Sequence, residues 1–227
     1  MKCSPLFRCH NTISCYPGLP YHVTQRGNRR QPIFFKPEDR QAYLELLRQQ
    51  ALRYDLEIWA YCLMDNHVHL VVMPRSAQSL TRAVGETHRR YTRHVNFREG
   101  WRGYLFQGRF GSVAMDEEHV IAAVRYVERN PVIAGMVARA EEYPWSSARA
   151  HVTGSADALL TGHFLKERIP DWAGFLRDPR DDQVDKRLNR HGSVGRPLGS
   201  DAFLQELEQR AGRRLRRGRP GRRQIGK

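Results

Sequence analysis

Residues 60–73 read AYCLMDNHVHLVVM, and this stretch decides the fold because two apolar strands flank a short polar turn. Side chains alternate between the two faces of a β-strand, so His67 and His69 point to the same face, about 7 Å apart. Two imidazoles placed in this way can share a metal ion when a third group completes the site. An HxH pattern on a strand is also common without any metal, so the hairpin alone leaves both interpretations open.

The composition of the chain favours a polyanionic partner. Its 227 residues include 38 Lys and Arg against 24 Asp and Glu, a formal net charge of +14. Such a field attracts nucleic acid first and anionic membrane second. The sequence contains neither an apolar run of 18 residues nor a recognisable secretory signal, so we expect no membrane partner.

The four cysteines are too few and too unevenly placed for a disulfide framework, which predicts a reducing, cytoplasmic location. Cys3, Cys9 and Cys15, with His10 nearby, could be zinc ligands. Their wide spacing matches none of the tight CxxC patterns of zinc sites. A leader with free thiols is therefore the preferred interpretation.

The positive charge is concentrated at the C-terminus, where residues 186–227 carry +10 and the rest of the chain +4. We predict four segments: a leader (1–16), a folded domain (17–150), a helical extension and linker (151–195), and a basic DNA-binding arm (196–227). Within the arm, Arg217 and Arg219 belong to an RRGRP sequence. This sequence resembles an AT-hook, which inserts arginines into narrow minor grooves, although a nonspecific electrostatic arm remains an alternative.

Hydrophobic periodicity predicts strands at 21–25, 56–63, 68–73 and 112–115, and helices at 37–54, 79–96 and 117–130. Pro131 is expected to end the third helix, because proline disfavours helical geometry in the residue before it. Further helices are expected near 163–176 and 200–210. Two consecutive strand-helix-strand units predict an α+β fold, a ferredoxin-like antiparallel sheet with helices packed on it and a C-terminal helical and basic extension.

Three stretches have the composition of DNA-binding surfaces. The first is the arginine turn RGNRR at 26–30, the second is the arginine-rich helix 79–96, and the third is the aromatic segment GWRGYLFQGRFG at 100–111. Arginines suit phosphate contacts and aromatic faces stack on unpaired bases. Solvated charges and buried core aromatics are the alternatives. The candidate DNA-binding residues are Arg26, Asn28, Arg29, Arg30, Arg89, Arg90, Arg93 and Arg109.

The helix 117–130 has a narrow polar stripe beside its apolar face. Tyr126 and Asn130 are four residues apart, so a phenol and an amide project together from the last turn. If the apolar face packs on the sheet, this stripe can approach His67 and His69. An amphipathic helix with a boundary tyrosine and a capping asparagine is the alternative that this helix alone would favour.

Five motifs together resemble the IS200-like superfamily of single-tyrosine HUH transposases, and most closely its REP-associated tyrosine transposases. The resemblance covers about residues 17–150, with a weaker similarity at 194–203. The motifs are PGLPYHVTQRGNRRQPIFF (17–35), AYCLMDNHVHLVV (60–72), HRRYTRHVNFREGWRGYLFQGRF (88–110), RYVERNPVIAGMV (125–137) and YPWSSARAH (143–151).

The resemblance implies a role for each matching residue. Tyr126 corresponds to the nucleophile, and His67, His69 and Asn130 correspond to the ligands of a divalent metal, for which Mg²⁺ or Mn²⁺ is expected. The implied activity is cleavage and rejoining of single-stranded, hairpin-forming REP-like DNA through a 5′-phosphotyrosine. The resemblance also implies a bacterial, nucleoid-associated protein that can form a homodimer. A non-catalytic DNA- or RNA-binding regulator derived from a transposase is the alternative function.

Overall fold

The computed structural model describes residues 15–162, 164–178 and 196–216, and its centre is an antiparallel sheet of four strands. The strand order is β2-β3-β1-β4, and each neighbouring pair is antiparallel. This is the ferredoxin-like α+β arrangement that the sequence predicts. The strands are β1 (Tyr21–Arg26), β2 (Leu56–Leu63), β3 (His67–Pro74) and β4 (Gly111–Ala114).

Three long helices cover the two faces of the sheet, namely α1 (Pro37–Arg53), α2 (Ser79–Glu99) and α3 (Glu117–Ile133). Leu70 and Val72 of β3 belong to the core that includes α1 and α2. Val71 and Met73 belong to a separate core that includes α3. Because side chains alternate along a strand, His67 and His69 share the face of Val71 and lie on the α3 side.

The end of α3 differs from the sequence prediction. The helix continues through Pro131 to Ile133, whereas proline was expected to stop it at Asn130. A proline removes one N–H from a helix, but the following turn still closes here, with the Ala134 amide donating to the Asn130 carbonyl at 3.0 Å. Asn130 therefore stays on the same helical stripe as Tyr126.

One 3-10 turn, Asn28–Arg30, lies between β1 and α1, and a second, Ala140–Glu142, follows α3. The short helices after it are α4 (Ala148–Thr153), α5 (Phe164–Arg168), α6 (Trp172–Arg177) and α7 (Asp201–Ala211). The single helix predicted near 163–176 is wrong, because α5 ends before Pro170 and α6 has its own cap. Asp171 provides this cap by accepting a hydrogen bond from the Gly174 amide at 2.9 Å. None of the helices in the described ranges is long and apolar enough to cross a membrane.

The segment that begins at 196 packs on the domain. The Leu198 amide donates to the Ala114 carbonyl at 2.8 Å, which adds a single parallel bridge beside β4. Leu207 of α7 is buried in the same core as α1 and α2. The first part of the predicted basic arm is thus held by backbone hydrogen bonds and by the burial of Leu198 and Leu207.

A buried ion pair joins α1 to the end of α2. The carboxylate of Asp39 is fully buried, forms an ion pair with Arg98 and accepts hydrogen bonds from the amides of Phe35 and Lys36 at 2.8 and 3.0 Å. Burial by itself raises the pKa of Asp39, but Arg98 and the two amides outweigh it and hold the pKa below its ordinary value. This carboxylate lies away from the α3 face.

Candidate active site

The two histidines of β3 lie beside each other on the α3 face. Their ring centroids are 4.8 Å apart and the rings are nearly perpendicular, at 83°. In the β1–β3 register, His67 lies opposite Arg26 and His69 opposite Thr24. His69 is 2 % exposed, whereas His67 is partly exposed at the start of the strand. One imidazole is therefore enclosed and the other reaches the edge of the site.

Helix α3 brings the candidate nucleophile to these rings. The Tyr126 ring meets the His69 ring edge-on, with centroids 5.3 Å apart and an interplanar angle of 86°. Asn130, one turn later, is hydrogen-bonded to the side chain of His67. The apolar residues Val120, Val124 and Val127 seat the helix on the sheet. The structure thus brings together the four residues that the sequence proposes for the chemistry.

The structure adds His22, which sequence reasoning missed. Its side chain is 1 % exposed, and its ring lies parallel to that of His69, with centroids 5.3 Å apart and an interplanar angle of 3°. The Tyr126 ring also meets His22 edge-on, at 5.9 Å. The alternation of YHVTQ places His22 on one face of β1, but only the strand register shows that this face carries His69.

The three imidazoles are neutral at pH 7. Burial lowers the pKa of His22 to about 4. Burial, and then the positive charge of Arg26, lower the pKa of His67 to about 4 against the opposing effects of Asn130 and Asp65. Burial, followed by His22, His67 and Arg26, places the pKa of His69 well below its ordinary value. Neutral rings have the lone pairs that metal binding requires.

Hydrogen bonds orient the His67 ring. Its Nδ1 is 2.7 Å from Oδ1 of Asn66, and Nδ2 of Asn66 donates to the carbonyl oxygen of Arg30 at 3.1 Å. Because that carbonyl can only accept, the amide must direct its oxygen at the imidazole, and His67 Nδ1 carries the proton. His67 Nε2 is therefore the nitrogen with the lone pair.

The donor set fits a divalent ion with open coordination positions. His69 Nε2 is buried and lacks a hydrogen-bond partner within the described residues. No group of three His, Cys, Asp or Glu in the described ranges could hold a metal. A metal at His67 and His69 therefore needs another kind of third donor, and the side-chain amide of Asn130, which contacts His67, is the candidate. This mixed N/O set suits Mg²⁺ or Mn²⁺ better than a four-ligand structural zinc site.

The predicted arginine turn lies against the aromatic segment. The Asn28 amide donates to the Leu105 carbonyl, and the Gln107 amide donates to the Arg26 carbonyl, both at 2.8 Å. A side chain at Gly27 would meet the Gln31 carbonyl oxygen at 2.2 Å, so the turn requires glycine. Arg29 and Arg30 are exposed. The turn and the segment therefore form one surface beside His67.

Some aromatic residues of the 100–111 segment are in the core, and others are exposed and free to stack on bases. Phe106 and Phe110 are buried in the core, whereas Trp101 is 47 % and Tyr104 87 % exposed. Arg109 is exposed on the same segment, and the Gln25 side-chain amide of β1 donates to the neighbouring Gly108 carbonyl at 3.0 Å. Only part of the segment is available to stack on bases.

The arginines of α2 are placed differently from those of the turn. Helix α2 packs on the face opposite Tyr126, and both Arg89 and Arg90 pair with Glu86. Arg93 is exposed. The structure thus does not bring these three residues to the tyrosine. Arg217 and Arg219 lie outside the described residues, as do Cys3, Cys9 and His10.

A second polar cluster was not predicted. Glu128 of α3 is fully buried, and its Oε1 lies 2.6 Å from Nδ1 of His151 and 2.5 Å from Oγ of Ser147. The His151 ring stacks on Trp172 at 4.1 Å. These contacts attach α3 to α4 and α6, so the extension after residue 150 helps to fix the helix that carries Tyr126.

Comparisons with known proteins bear on the family and the fold of the chain. The family model described as "Transposase IS200 like" matches residues 15–130, slightly more than half of the chain. A solved REP-associated tyrosine transposase bound to a REP hairpin has a TM-score of 0.55 and 19 % identity, over 69 % of this chain and 92 % of that one. At that identity, the similarity establishes the fold.

A second solved structure, of a candidate transposase from Deinococcus radiodurans, has 21 % identity and a TM-score of 0.37, over 60 % of this chain and 98 % of that one. No curated protein matches the chain.

Proposed function

Because the chain belongs to the IS200-like transposase family, we propose that it cleaves and rejoins single-stranded, hairpin-forming DNA with Tyr126 as nucleophile. The observation that carries this proposal is the contact of the Tyr126 ring with His69, beside a His67 that is hydrogen-bonded to Asn130. The REP hairpin in the related structure supports a REP-like substrate. The substrate, the roles of these residues and the metal are parts of the proposal.

The reaction follows from the chemistry of a phenol. The Tyr126 oxygen attacks a backbone phosphorus, the bond from phosphorus to the 3′-oxygen breaks, and a 5′-phosphotyrosine forms. The phenolic proton passes to solvent, and the departing 3′-oxygen takes up a proton. In rejoining, a 3′-hydroxyl attacks the phosphotyrosine and restores the phenol. The covalent link conserves the phosphodiester energy, so no nucleotide is consumed.

His67, His69 and Asn130 would hold a divalent ion, Mg²⁺ or Mn²⁺, through two ring nitrogens and an amide oxygen. When bound, such an ion neutralises the charge that develops on the phosphate oxygens. Two features of the chain support these roles: β3 holds both imidazoles on one strand, and Tyr126 and Asn130, the proposed nucleophile and third donor, are one helical turn apart. A phenol with an ordinary pKa of about 10 needs this positioning at pH 7.

The surface made by the arginine turn and the exposed aromatics is the proposed path of the single strand. Arg29 and Arg30 would contact phosphates, and Trp101 and Tyr104 would stack on unpaired bases. The backbone hydrogen bonds between the turn and the aromatic segment keep the phosphate-binding arginines next to the base-stacking aromatic residues. Arg26 lies between this surface and the candidate active site, since it is opposite His67 in the sheet and its charge lowers the pKa of His67.

The test is formation of a covalent adduct. Labelled single-stranded hairpin DNA is incubated with the protein and Mn²⁺ or Mg²⁺, and the products are separated under denaturing conditions. We expect a protein–DNA band that disappears with chelator and in Tyr126→Phe. Tight binding of REP-like hairpins without any adduct would contradict the proposal and favour the non-catalytic regulator.

A further inference from the structure

The side chains of His22 and His69 are hydrogen-bonded to each other, and the proposed reaction assigns no role to this bond. Nε2 of His22 is 3.0 Å from Nδ1 of His69, which is a hydrogen bond between two neutral rings. Such a bond contains one proton, and the proton can lie on either nitrogen. Its position decides which nitrogen of His69 has a lone pair.

The two tautomers have opposite consequences for metal binding. If His22 donates, Nδ1 of His69 is the acceptor, and the neutral His69 ring must carry its proton on Nε2. If His69 donates, its Nε2 is unprotonated and can bind a cation. His69 Nε2 and His22 Nδ1 are both buried and without hydrogen-bond partners in the parts of the chain that the structure describes. An unprotonated His69 Nε2 is the nitrogen a cation would use.

We propose that His22 is a positioning residue that accepts the Nδ1 proton of His69 and so holds His69 in the tautomer whose Nε2 binds a divalent cation. This proposal rests on the proposed function. Metal-binding histidines usually donate their second ring nitrogen to a carboxylate, a carbonyl or water. In this site an imidazole takes that place for His69, as the Asn66 amide does for His67.

The neutral acceptor also suits a site that receives a phosphate. A carboxylate would add a negative charge beside the metal, whereas an imidazole orients His69 without changing the net charge. The two rings lie in parallel planes and are hydrogen-bonded edge to edge, which fixes the plane of His69, and Tyr126 packs edge-on against both. His22 therefore determines which nitrogen of His69 has the lone pair and holds the plane of the His69 ring. It also forms part of the surface against which Tyr126 packs.

The first experiment reads the tautomer directly in the metal-free, wild-type protein. Long-range ¹H–¹⁵N correlation spectra distinguish protonated from unprotonated ring nitrogens. We expect His69 to be protonated on Nδ1 and unprotonated on Nε2. A proton on His69 Nε2 would overturn the proposal, and this measurement requires neither DNA nor a variant that folds.

The second experiment measures Mn²⁺ affinity by the loss of the free-ion EPR signal, in the full chain without DNA. His22→Leu has no acceptor and should weaken binding about 10- to 100-fold, the usual effect of removing such a partner. His22→Gln keeps an acceptor oxygen near Nε2 and should stay within a few-fold of wild type. His88→Leu is the matched control, because His88 is also buried but is hydrogen-bonded to Tyr43 on the other face of the sheet.

Two results would contradict a positioning role in this second experiment. One is a folded His22→Leu that binds Mn²⁺ like the wild type, and the other is a folded His22→Gln that binds as weakly as His22→Leu. A wild-type protein that binds no Mn²⁺ would instead contradict the metal site of the proposed function. In that case the first experiment would still decide which nitrogen of His69 carries the proton.

Discussion

The two faces of the sheet each bury a tyrosine and a histidine, but they use them differently. On the α2 face, the Tyr91 hydroxyl donates to the Ile33 carbonyl at 2.6 Å, and His88 is hydrogen-bonded to the Tyr43 hydroxyl at 3.0 Å. On the α3 face, His69 keeps a buried Nε2 without a partner among the described residues. Burial and residue type are therefore alike, and the two histidines differ in that Nε2 of His88 has a partner in Tyr43 whereas Nε2 of His69 has none among the described residues.

The largest expected effect comes from the two tyrosines. Tyr126→Phe should lower adduct formation at least about 10³-fold, about 4 kcal/mol in activation free energy, because the nucleophilic oxygen is gone. Tyr91→Phe should retain adduct formation but lose about 1 to 2 kcal/mol of unfolding free energy, because the Ile33 carbonyl loses its donor. Gel quantification and urea unfolding measure the two effects. If Tyr126→Phe still formed the adduct, Tyr126 would not be the nucleophile, and the two faces would not differ in function.

The next effect concerns the buried carboxylate on the α1 and α2 side. Asp39→Asn should cost about 3 kcal/mol of unfolding free energy at pH 7, since an amide cannot accept all the bonds that Asp39 accepts. Asp39 has a lowered pKa in the folded state, so its contribution is present above its unfolded pKa and is lost as pH falls through the folded value.

Urea unfolding of wild type and Asp39→Asn from pH 7 down to pH 3 measures this contribution. The difference between the two proteins should shrink at the acidic end, while Mn²⁺ affinity at pH 7 stays unchanged. A difference that is constant across this range would show that the carboxylate charge is not responsible.

A metal should stabilise the protein only through the α3 face. Mn²⁺ at a hundred times its Kd should add about 2.7 kcal/mol to the unfolding free energy, and EDTA should remove that gain. His69→Ala should abolish the gain, whereas His88→Ala should be less stable but still respond to Mn²⁺. Thermal unfolding with and without Mn²⁺ tests this. An equal response in both variants would place the metal elsewhere.

The smallest effect concerns the two sets of arginines. Replacing Arg29 and Arg30 with serine should weaken binding to single-stranded DNA about tenfold and reduce the slope of log K against log salt by about 1.4. Replacing Arg89 and Arg90 should change both quantities less, because Glu86 already pairs with them. Fluorescence anisotropy over a salt series measures both slopes. Equal slopes would remove the distinction between the two surfaces.

Most of the fold could be predicted because its signals are local. Alternation places His67 and His69 on one face, and helical spacing places Tyr126 with Asn130. The strand and helix order then selects the ferredoxin-like sheet. The predicted end of α3 was wrong because the turn after Pro131 still closes, through the hydrogen bond from the Ala134 amide to the Asn130 carbonyl. The roles of the candidate site residues remain predictions.

The rest of the site depends on contacts between distant parts of the chain. His22 and His69 are 47 positions apart, and their hydrogen bond follows from the β1–β3 register. Glu128 meets His151 only because α4 and α6 pack on the outer side of α3. The pairing of Arg89 and Arg90 with Glu86 was readable from their helical spacing, but whether those side chains also reach DNA is not a local property.

The borders of the sheet limit how the protein can assemble. The outer side of β2 is already hydrogen-bonded to the 145–147 segment and to Thr161, at Ile58, Tyr61 and Leu63. The outer side of β4 is occupied next to Ala114 by Leu198. Exposed strand edges are what allow sheets of two molecules to merge. A homodimer that extended this sheet at the Ala114 end of β4 would have to displace Leu198, because both would need the same carbonyl.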